Sequence, residues 1–202
     1  MSNTLYINGK WSSPVEGHTW DVISPADGRV VATVAEATGA DVELAITAAR
    51  TAFDKGEFPT WGFEKRAALV GKIADLMERD LSILAKLESD DTGKRLVEAE
   101  YDIADVIACF RHFAEIGKKQ HEREVNVGME HIDSRVVHEP VGVCTLIGPW
   151  NYPLLQVSWK VAPALVAGCT FIVKPAELTP STAIHLFKLI DEAGVPAGVA
   201  NL

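Results

Sequence analysis

Apolar residues recur every three or four positions between residues 41 and 116, and this spacing predicts three helices. The first runs from about Asp41 to Phe53, with a small-residue face at Ala45, Ala48, Ala49 and Ala52; Thr38 with Asp41 forms a loose capping box before it. A loop from Asp54 to Phe63 follows. The second helix spans about Glu64 to Ser89, with Leu69, Ile73, Leu76, Ile83 and Leu87 on its stripe. Asp91-Thr92-Gly93 interrupts it. The third runs from about Arg95 to Ile116 on Leu96, Ala99, Ile103, Val106, Phe110 and Phe113. That stripe also resembles a coiled-coil seam, but packing of the second and third helices against a sheet accounts for it.

The pattern changes after residue 140. Val143-Cys144-Thr145-Leu146-Ile147 is a short apolar run between Gly142 and the turn Gly148-Pro149. A longer apolar segment, Leu154 to Ala167, closes at Gly168, and a second β-prone run, Thr170 to Val173, stops at Lys174-Pro175. Strand, helix, strand is the expected order. Neither strand alternates with polar residues, as when helices cover both faces of a parallel sheet. Thr179-Pro180 then supplies a cap and a helix-opening proline. The helix carries Ile184, Phe187 and Ile190 and ends at Gly194. A third strand begins at Val199, and it is expected to present an unpaired edge. The fold class is α/β: the start of a doubly wound parallel sheet, preceded by helices, and the first part of something longer.

The flanks are β-like. Residues 5–11 and 19–23 are short runs, with Asn8-Gly9 as a hairpin signal. Residues 24–28 form a turn, and Val30–Val34 another strand. Arg123–Val127 and Ser134–Glu139 read as a second hairpin, either a pairing edge for another chain or a solvated flap.

Charge and composition narrow the function. The net charge of −9 argues against binding a nucleic-acid backbone. No apolar run is long enough to span a bilayer, and the first residues lack a signal sequence, so a cytoplasmic location is expected. Cys109, Cys144 and Cys169 lie far apart in apolar contexts and are expected as buried free thiols. The six histidines are scattered, with no HExxH and no metal cluster, and GxGxxG is absent.

Candidate chemistry gathers after the two sheet strands. Asn151, in Gly148-Pro149-Trp150-Asn151-Tyr152-Pro153, can donate hydrogen bonds to a developing oxyanion, or it is simply a turn-former. Lys174 and Glu177 can hold the hydroxyls of a ribose, or they form an exposed charged turn. Tyr152 and Trp159 are seven apart, on roughly one face. Two electron-rich rings suit a quaternary ammonium group, although aromatic core packing explains them as well.

These motifs together resemble the aldehyde dehydrogenase family. The resemblance rests on YINGKW, Ser24-Pro25-Ala26 with Gly28, Leu87-Glu88-Ser89 leading to Asp91-Thr92-Gly93-Lys94, Glu139-Pro140-Val141-Gly142-Val143, GPWNYPLL, KVAPALVAG, Lys174-Pro175-Ala176-Glu177-Leu178-Thr179-Pro180 and EAGVPAGVANL. It covers essentially the whole chain, but about the first two fifths of a family member. Ser24, where the family usually has Asn, and Glu115, where relatives commonly have Gly, depart from the pattern. Within the family the chain is most similar to bacterial betaine aldehyde dehydrogenases.

The resemblance implies an oxidoreductase that oxidises an aldehyde with NAD and water, with glycine betaine as the product expected from betaine aldehyde. It implies Asn151 as the oxyanion-hole amide, Lys174 and Glu177 at the adenosine ribose, and Ile147, Pro149 and Trp150 lining the nicotinamide side. Tyr152 and Trp159 would belong to an aromatic cage around trimethylammonium. Residues 1–121 would pack on the NAD-binding domain, 122–140 would form an oligomerisation arm of a homodimer or homotetramer, and 141–202 would begin the NAD-binding domain. The family's cysteine nucleophile, general-base glutamate and pyrophosphate glycine motif match positions beyond Leu202, so the chain alone is expected to be inactive. Another amino-aldehyde substrate, and a truncated non-catalytic assembly partner, stand as alternatives.

Overall fold

The computed structural model describes residues 4–202; residues 1–3 of the expected N-terminal segment lie outside them. Strands β1 (Leu5–Ile7) and β2 (Lys10–Ser12) form the expected hairpin. Its turn residues Asn8 (φ 53°) and Gly9 (φ 74°) both take the left-handed conformation that a tight two-residue hairpin turn requires. β3 (Thr19–Ile23) and β4 (Val30–Ala35) pair antiparallel.

Helix α1 (Gly39–Lys55) starts at the expected Thr38–Asp41 pair. The Asp41 carboxylate accepts from Thr38 N at 2.8 Å, Thr38 Oγ1 at 2.9 Å and Val15 N at 2.8 Å. The expected loop after α1 contains a short 3-10 turn, Phe58–Thr60, which buries Phe58.

The second expected helix is two: α2 (Phe63–Arg79) and α3 (Leu81–Thr92), broken at Asp80. The cause is tertiary. Asp80 accepts from Arg79 Nε at 2.8 Å and from His185 Nε2 at 2.8 Å, and this anchors the break. The new helix phase turns Leu84, Ala85 and Glu88 inward and leaves Ile83, an expected core residue, half exposed. α3 ends at Gly93 in the left-handed region. α4 (Leu96–Lys119) buries Ala99, Ile103, Val106 and Phe110. Leu96, also expected in the core, is half exposed because it lies in the first turn, ahead of the packed stretch.

β5 (Arg123–Glu124) and β6 (Arg135–Val136) pair antiparallel over two residues each, all exposed. The chain then builds β7 (Val143–Ile147), α5 (Pro153–Ala167), β8 (Thr170–Lys174), α6 (Ser181–Ala193) and β9 (Ala200–Asn201). The three strands are parallel in the order β7-β8-β9. Gly168 (φ 87°) and Gly194 (φ 88°) end α5 and α6 in the left-handed conformation. Asp91, rather than Thr179, caps α6: its carboxylate accepts from Ser181 N at 2.9 Å and Ser181 Oγ at 2.8 Å.

α2 and α4 pack on each other and on α5, which itself covers β7 and β8, so those helices stack on a helix rather than directly on the sheet. On the opposite face, small Ala45 and Ala49 let α1 approach closely enough for Thr170 Oγ1 to donate to Ala49 O at 2.9 Å. Strand alternation then assigns Val143, Thr145, Ile147, Ile172 and Lys174 to the α1 side. Leu146, Phe171 and Val173 join the core with α5 and α6. Among the described residues β7 lies at one end of the three strands, and its Thr145 and Ile147 are exposed. β9 lies at the other end. Tyr6 N donates to Leu202 O at 3.1 Å and Leu202 N to Tyr6 O at 2.7 Å, so the N-terminal hairpin pairs with the residue just past β9, at the end of the edge that was expected to be unpaired. The β3–β4 hairpin packs Val22, Ala32 and Val34 on Ile184 of α6. Cys169 is buried, whereas Cys109 and Cys144 are only half-buried. Among the described residues no helix is long and apolar enough to cross a membrane.

Candidate functional site

Two loops meet at the carboxyl ends of β7 and β8, the edge where open parallel sheets take ligands. Residues 148–152 lead into α5, and 175–180 lead into α6. Gly148 N donates to Lys174 O at 3.0 Å, which ties the loops together. A side chain at Gly148 would bring Cβ within 2.8 Å of Val157 Cγ2, so the backbone there lies against α5.

The candidate residues line this rim. Ile147 (61 % exposed) and Trp150 (62 %) stand open to solvent, and Pro149 is half-buried. Lys174 Nζ donates to Glu177 Oε2 at 3.0 Å, and both side chains are exposed. A backbone hydrogen bond, with Lys174 second, holds the Glu177 carboxyl below the usual range. The pair leaves further donors and lone pairs free for a diol. Asn151 is exposed, and among the described residues nothing hydrogen-bonds its side-chain amide. An uncommitted amide at the head of a helix, with the loop backbone held on both sides, is suited to meet an oxygen that gains negative charge.

Behind Asn151 lies a cluster that sequence reasoning did not identify. Lys94 Nζ donates to Glu88 Oε1 at 3.2 Å, Asp102 Oδ2 at 2.5 Å and Asn151 O at 3.4 Å, and stands 4.6 Å from the centre of the Tyr152 ring. Glu88 is fully buried; desolvation pushes its carboxyl up to about 7, against the pull of Lys94. The two carboxylates raise Lys94, outweighing its own burial, so it stays charged. Its acceptors come from α3, α4 and the β7–α5 loop, which is why no local motif exposes the cluster.

Trp159 lies elsewhere on α5. It lines a hollow of about 530 Å³ with Asp105, Ala108, Cys109, His112, Phe113 and Leu155. Tyr152 is not part of that lining; its ring faces Lys94. Asp105, Cys109 and His112 were missed in the sequence, although their i, i+4, i+7 spacing marks one face of α4. Burial pushes the Cys109 thiol up, and burial together with neighbouring Cys169 does the same at Cys144, away from the thiolate that a nucleophile needs. A second hollow, about 460 Å³, is lined by Trp61, Arg66, His138 and others and shares no residue with this site. Among the described residues, no group of three or more His, Cys, Asp or Glu side chains could hold a metal ion.

Comparison with known proteins places this site in a family. The chain is 48 % identical over 202 residues to betaine aldehyde dehydrogenase of Bacillus subtilis, covering 100 % of this chain and 41 % of that protein. It is 42 % identical to peroxisomal aminoaldehyde dehydrogenase 2 of Pisum sativum, over 98 % of this chain and 41 % of the relative. The crystal structure of Staphylococcus aureus betaine aldehyde dehydrogenase in complex with NAD+ superposes with a TM-score of 0.96 at 44 % identity, covering all of this chain and 40 % of that one. The chain thus spans about two fifths of the relatives it matches. The model of the aldehyde dehydrogenase family matches residues 11–202, and the chain belongs to that family.

Proposed function

We propose that the whole protein oxidises an aldehyde to its carboxylate with NAD, and that the aldehyde carries a cationic nitrogen, betaine aldehyde first among them. The observation that carries this reading is the uncommitted Asn151 amide on the rim shared with Lys174 and Glu177. The residues fit the cofactor. Lys174 and Glu177 would hold ribose hydroxyls, and Ile147, Pro149 and Trp150 would border its reactive end. Bound NAD supplies a hydride acceptor. Asn151 donates a hydrogen bond to the carbonyl oxygen as it becomes an oxyanion. The nucleophile and the base belong to the segments of family members that this chain does not span.

The substrate assignment rests on Trp159 and the B. subtilis and S. aureus relatives. The indole face draws a cation into the hollow. Asp105 in the same lining favours a second reading, a primary-ammonium aldehyde, because a carboxylate can accept N–H bonds that trimethylammonium lacks. The P. sativum relative is named for aminoaldehydes. The exposed β5–β6 hairpin, with Val127, Met129, Ile132 and Val137 open to solvent, is the proposed subunit-joining arm of a dimer or tetramer. A cytoplasmic site of action completes the proposal.

The test is NADH formation by the whole protein with betaine aldehyde, a primary aminoaldehyde and an uncharged aliphatic aldehyde. Asn151→Ala should lower kcat about 10²- to 10³-fold on all three. Trp159→Ala should raise KM roughly 3- to 30-fold for the cationic aldehydes alone. Equal losses from Trp159→Ala on charged and uncharged substrates would overturn the cationic reading, and a silent Asn151→Ala would overturn the oxyanion role.

A further inference from the structure

The amide of Asn151 hangs from a Cα flanked by two peptide groups, and both carbonyls are held by side chains from outside the loop. The carbonyl before it, Trp150 O, accepts from Thr179 Oγ1 at 3.2 Å. The carbonyl after it, Asn151 O, accepts from Lys94 Nζ at 3.4 Å. Fixing the planes on either side of a Cα fixes its φ and ψ, and backbone dihedrals decide which rotamers the side chain can adopt. We infer that Lys94 and Thr179 are positioning residues for the reaction proposed above, aiming the Asn151 amide by clamping the peptide planes that flank it.

Lys94 is built for holding rather than for proton transfer. An ammonium has three N–H donors, and here they have three acceptors: Glu88 Oε1, Asp102 Oδ2 and Asn151 O. Its side chain is 14 % exposed, and Glu88 beneath it is wholly buried, so the head group has little room to wander. Thr179 is equally committed. It is buried, its own N–H donates to Ala176 O at 3.2 Å, and it sits where the β8–α6 loop passes under the β7–α5 loop. The clamp therefore links α3, α4 and the loop after β8 to one side chain at the rim.

The clamp also reaches Tyr152. One face of its ring lies near the Lys94 ammonium, at 4.6 Å from the centroid, so a cationic substrate approaching Tyr152 meets a ring already engaged with a cation. An uncharged aliphatic aldehyde removes that complication and isolates the effect on Asn151.

The experiment is a double-mutant cycle in the whole dehydrogenase, with an uncharged aldehyde as substrate. Lys94→Met removes the ammonium with its three donors and Thr179→Val removes one hydroxyl, each keeping much of the side chain's bulk. Each should lower kcat roughly 5- to 20-fold and change KM less than about 2-fold, short of the loss for Asn151→Ala. In the Asn151→Ala background each should cost less than about 2-fold more, because the group they aim is gone. A merely structural role predicts equal losses in both backgrounds, and that result would overturn the inference. So would an unchanged kcat in both single variants. Glu88→Gln/Asp102→Asn/Lys94→Met, which leaves neither carboxylate of the cluster charged without its partner, should repeat the Lys94→Met loss even if the single variant folds poorly. A silent Asn151→Ala sinks the proposed oxyanion role and the clamp together. A damaging Asn151→Ala with additive or silent Lys94 and Thr179 variants sinks the clamp alone.

Discussion

Replacing Glu88 by glutamine should flatten the pH dependence of folding stability. Glu88 is fully buried beside Lys94, and burial pushes its carboxyl from 4.5 up to about 7. A carboxyl whose folded value lies above its unfolded one binds its proton more tightly in the native state. Its contribution to stability is therefore fully present below pH 4.5 and is lost as pH rises through 7. At about 1.4 kcal/mol per pH unit, that interval corresponds to about 3 kcal/mol. Lys94 is raised from an already high value and keeps its charge throughout, so it adds no slope in this window. Asp91, pushed up to about 6, does titrate here, but it does so in both proteins and cancels in the difference. Urea unfolding of the chain and of Glu88→Gln from pH 4.5 to 8 reads the quantity directly. The variant's stability relative to the parent should grow by about 3 kcal/mol across the range, most steeply between pH 5 and 7. Parallel curves would show that Glu88 stays ionised in the fold, and the reasoning from burial would fail.

Two further perturbations probe the packing beneath the sheet. Arg66 is a buried cation whose Nε donates to Val166 O at 2.8 Å and whose Nη1 donates to Pro59 O at 3.3 Å and also reaches Trp61 O. Arg66→Met keeps the volume and strands those carbonyls, so thermal unfolding should report a loss of about 3 kcal/mol; a loss below about 1 kcal/mol would mean that water replaces the guanidinium. Gly168 has φ 87°, and a Cβ there would come within 2.8 Å of Arg66 Nη1. Gly168→Ala should cost about 1–3 kcal/mol by the same assay, and a neutral result would show that both backbone and arginine relax freely.

What could be read in advance was what local chemistry decides. The strand–helix–strand from Val143 to Lys174 was legible because apolar runs, Pro153 and Gly168 all act within a few residues. The break at Asp80 was not, because the histidine that helps hold it lies 105 positions away. Losing that break put Ile83 on the wrong side of its helix. The site divides in the same way. Asn151, Lys174 and Glu177 sit on loops whose position follows from the strands before them, so their placement at one rim could be anticipated. Lys94 draws its acceptors from Glu88, Asp102 and Asn151, a set no period joins. Asp105 could have been found, since it shares a helical face with Cys109 and His112. The two aromatic rings are seven positions apart, but Tyr152 is the N-cap of α5 with non-helical backbone, so the helical period alone does not set where its ring points.

The pairing of the first hairpin with the last strand bears on how the chain matures. Tyr6 exchanges two backbone hydrogen bonds with Leu202, Tyr6 Oη donates to Asp191 at 2.8 Å, and Asn8 N donates to Asn201 Oδ1 at 3.0 Å across 193 positions. All of these partners lie within residues 191–202. During synthesis, the hairpin leaves the ribosome first and must wait, at about 5–20 residues per second, for roughly ten seconds or more before its partners emerge. A two-stranded hairpin is marginal by itself, and closing so long a loop is slow. The hairpin is therefore locked down only after residues 191–202 have emerged. A nascent chain halted anywhere before residue 191 would carry its first strands unprotected, a state that limited proteolysis of stalled chains would reveal.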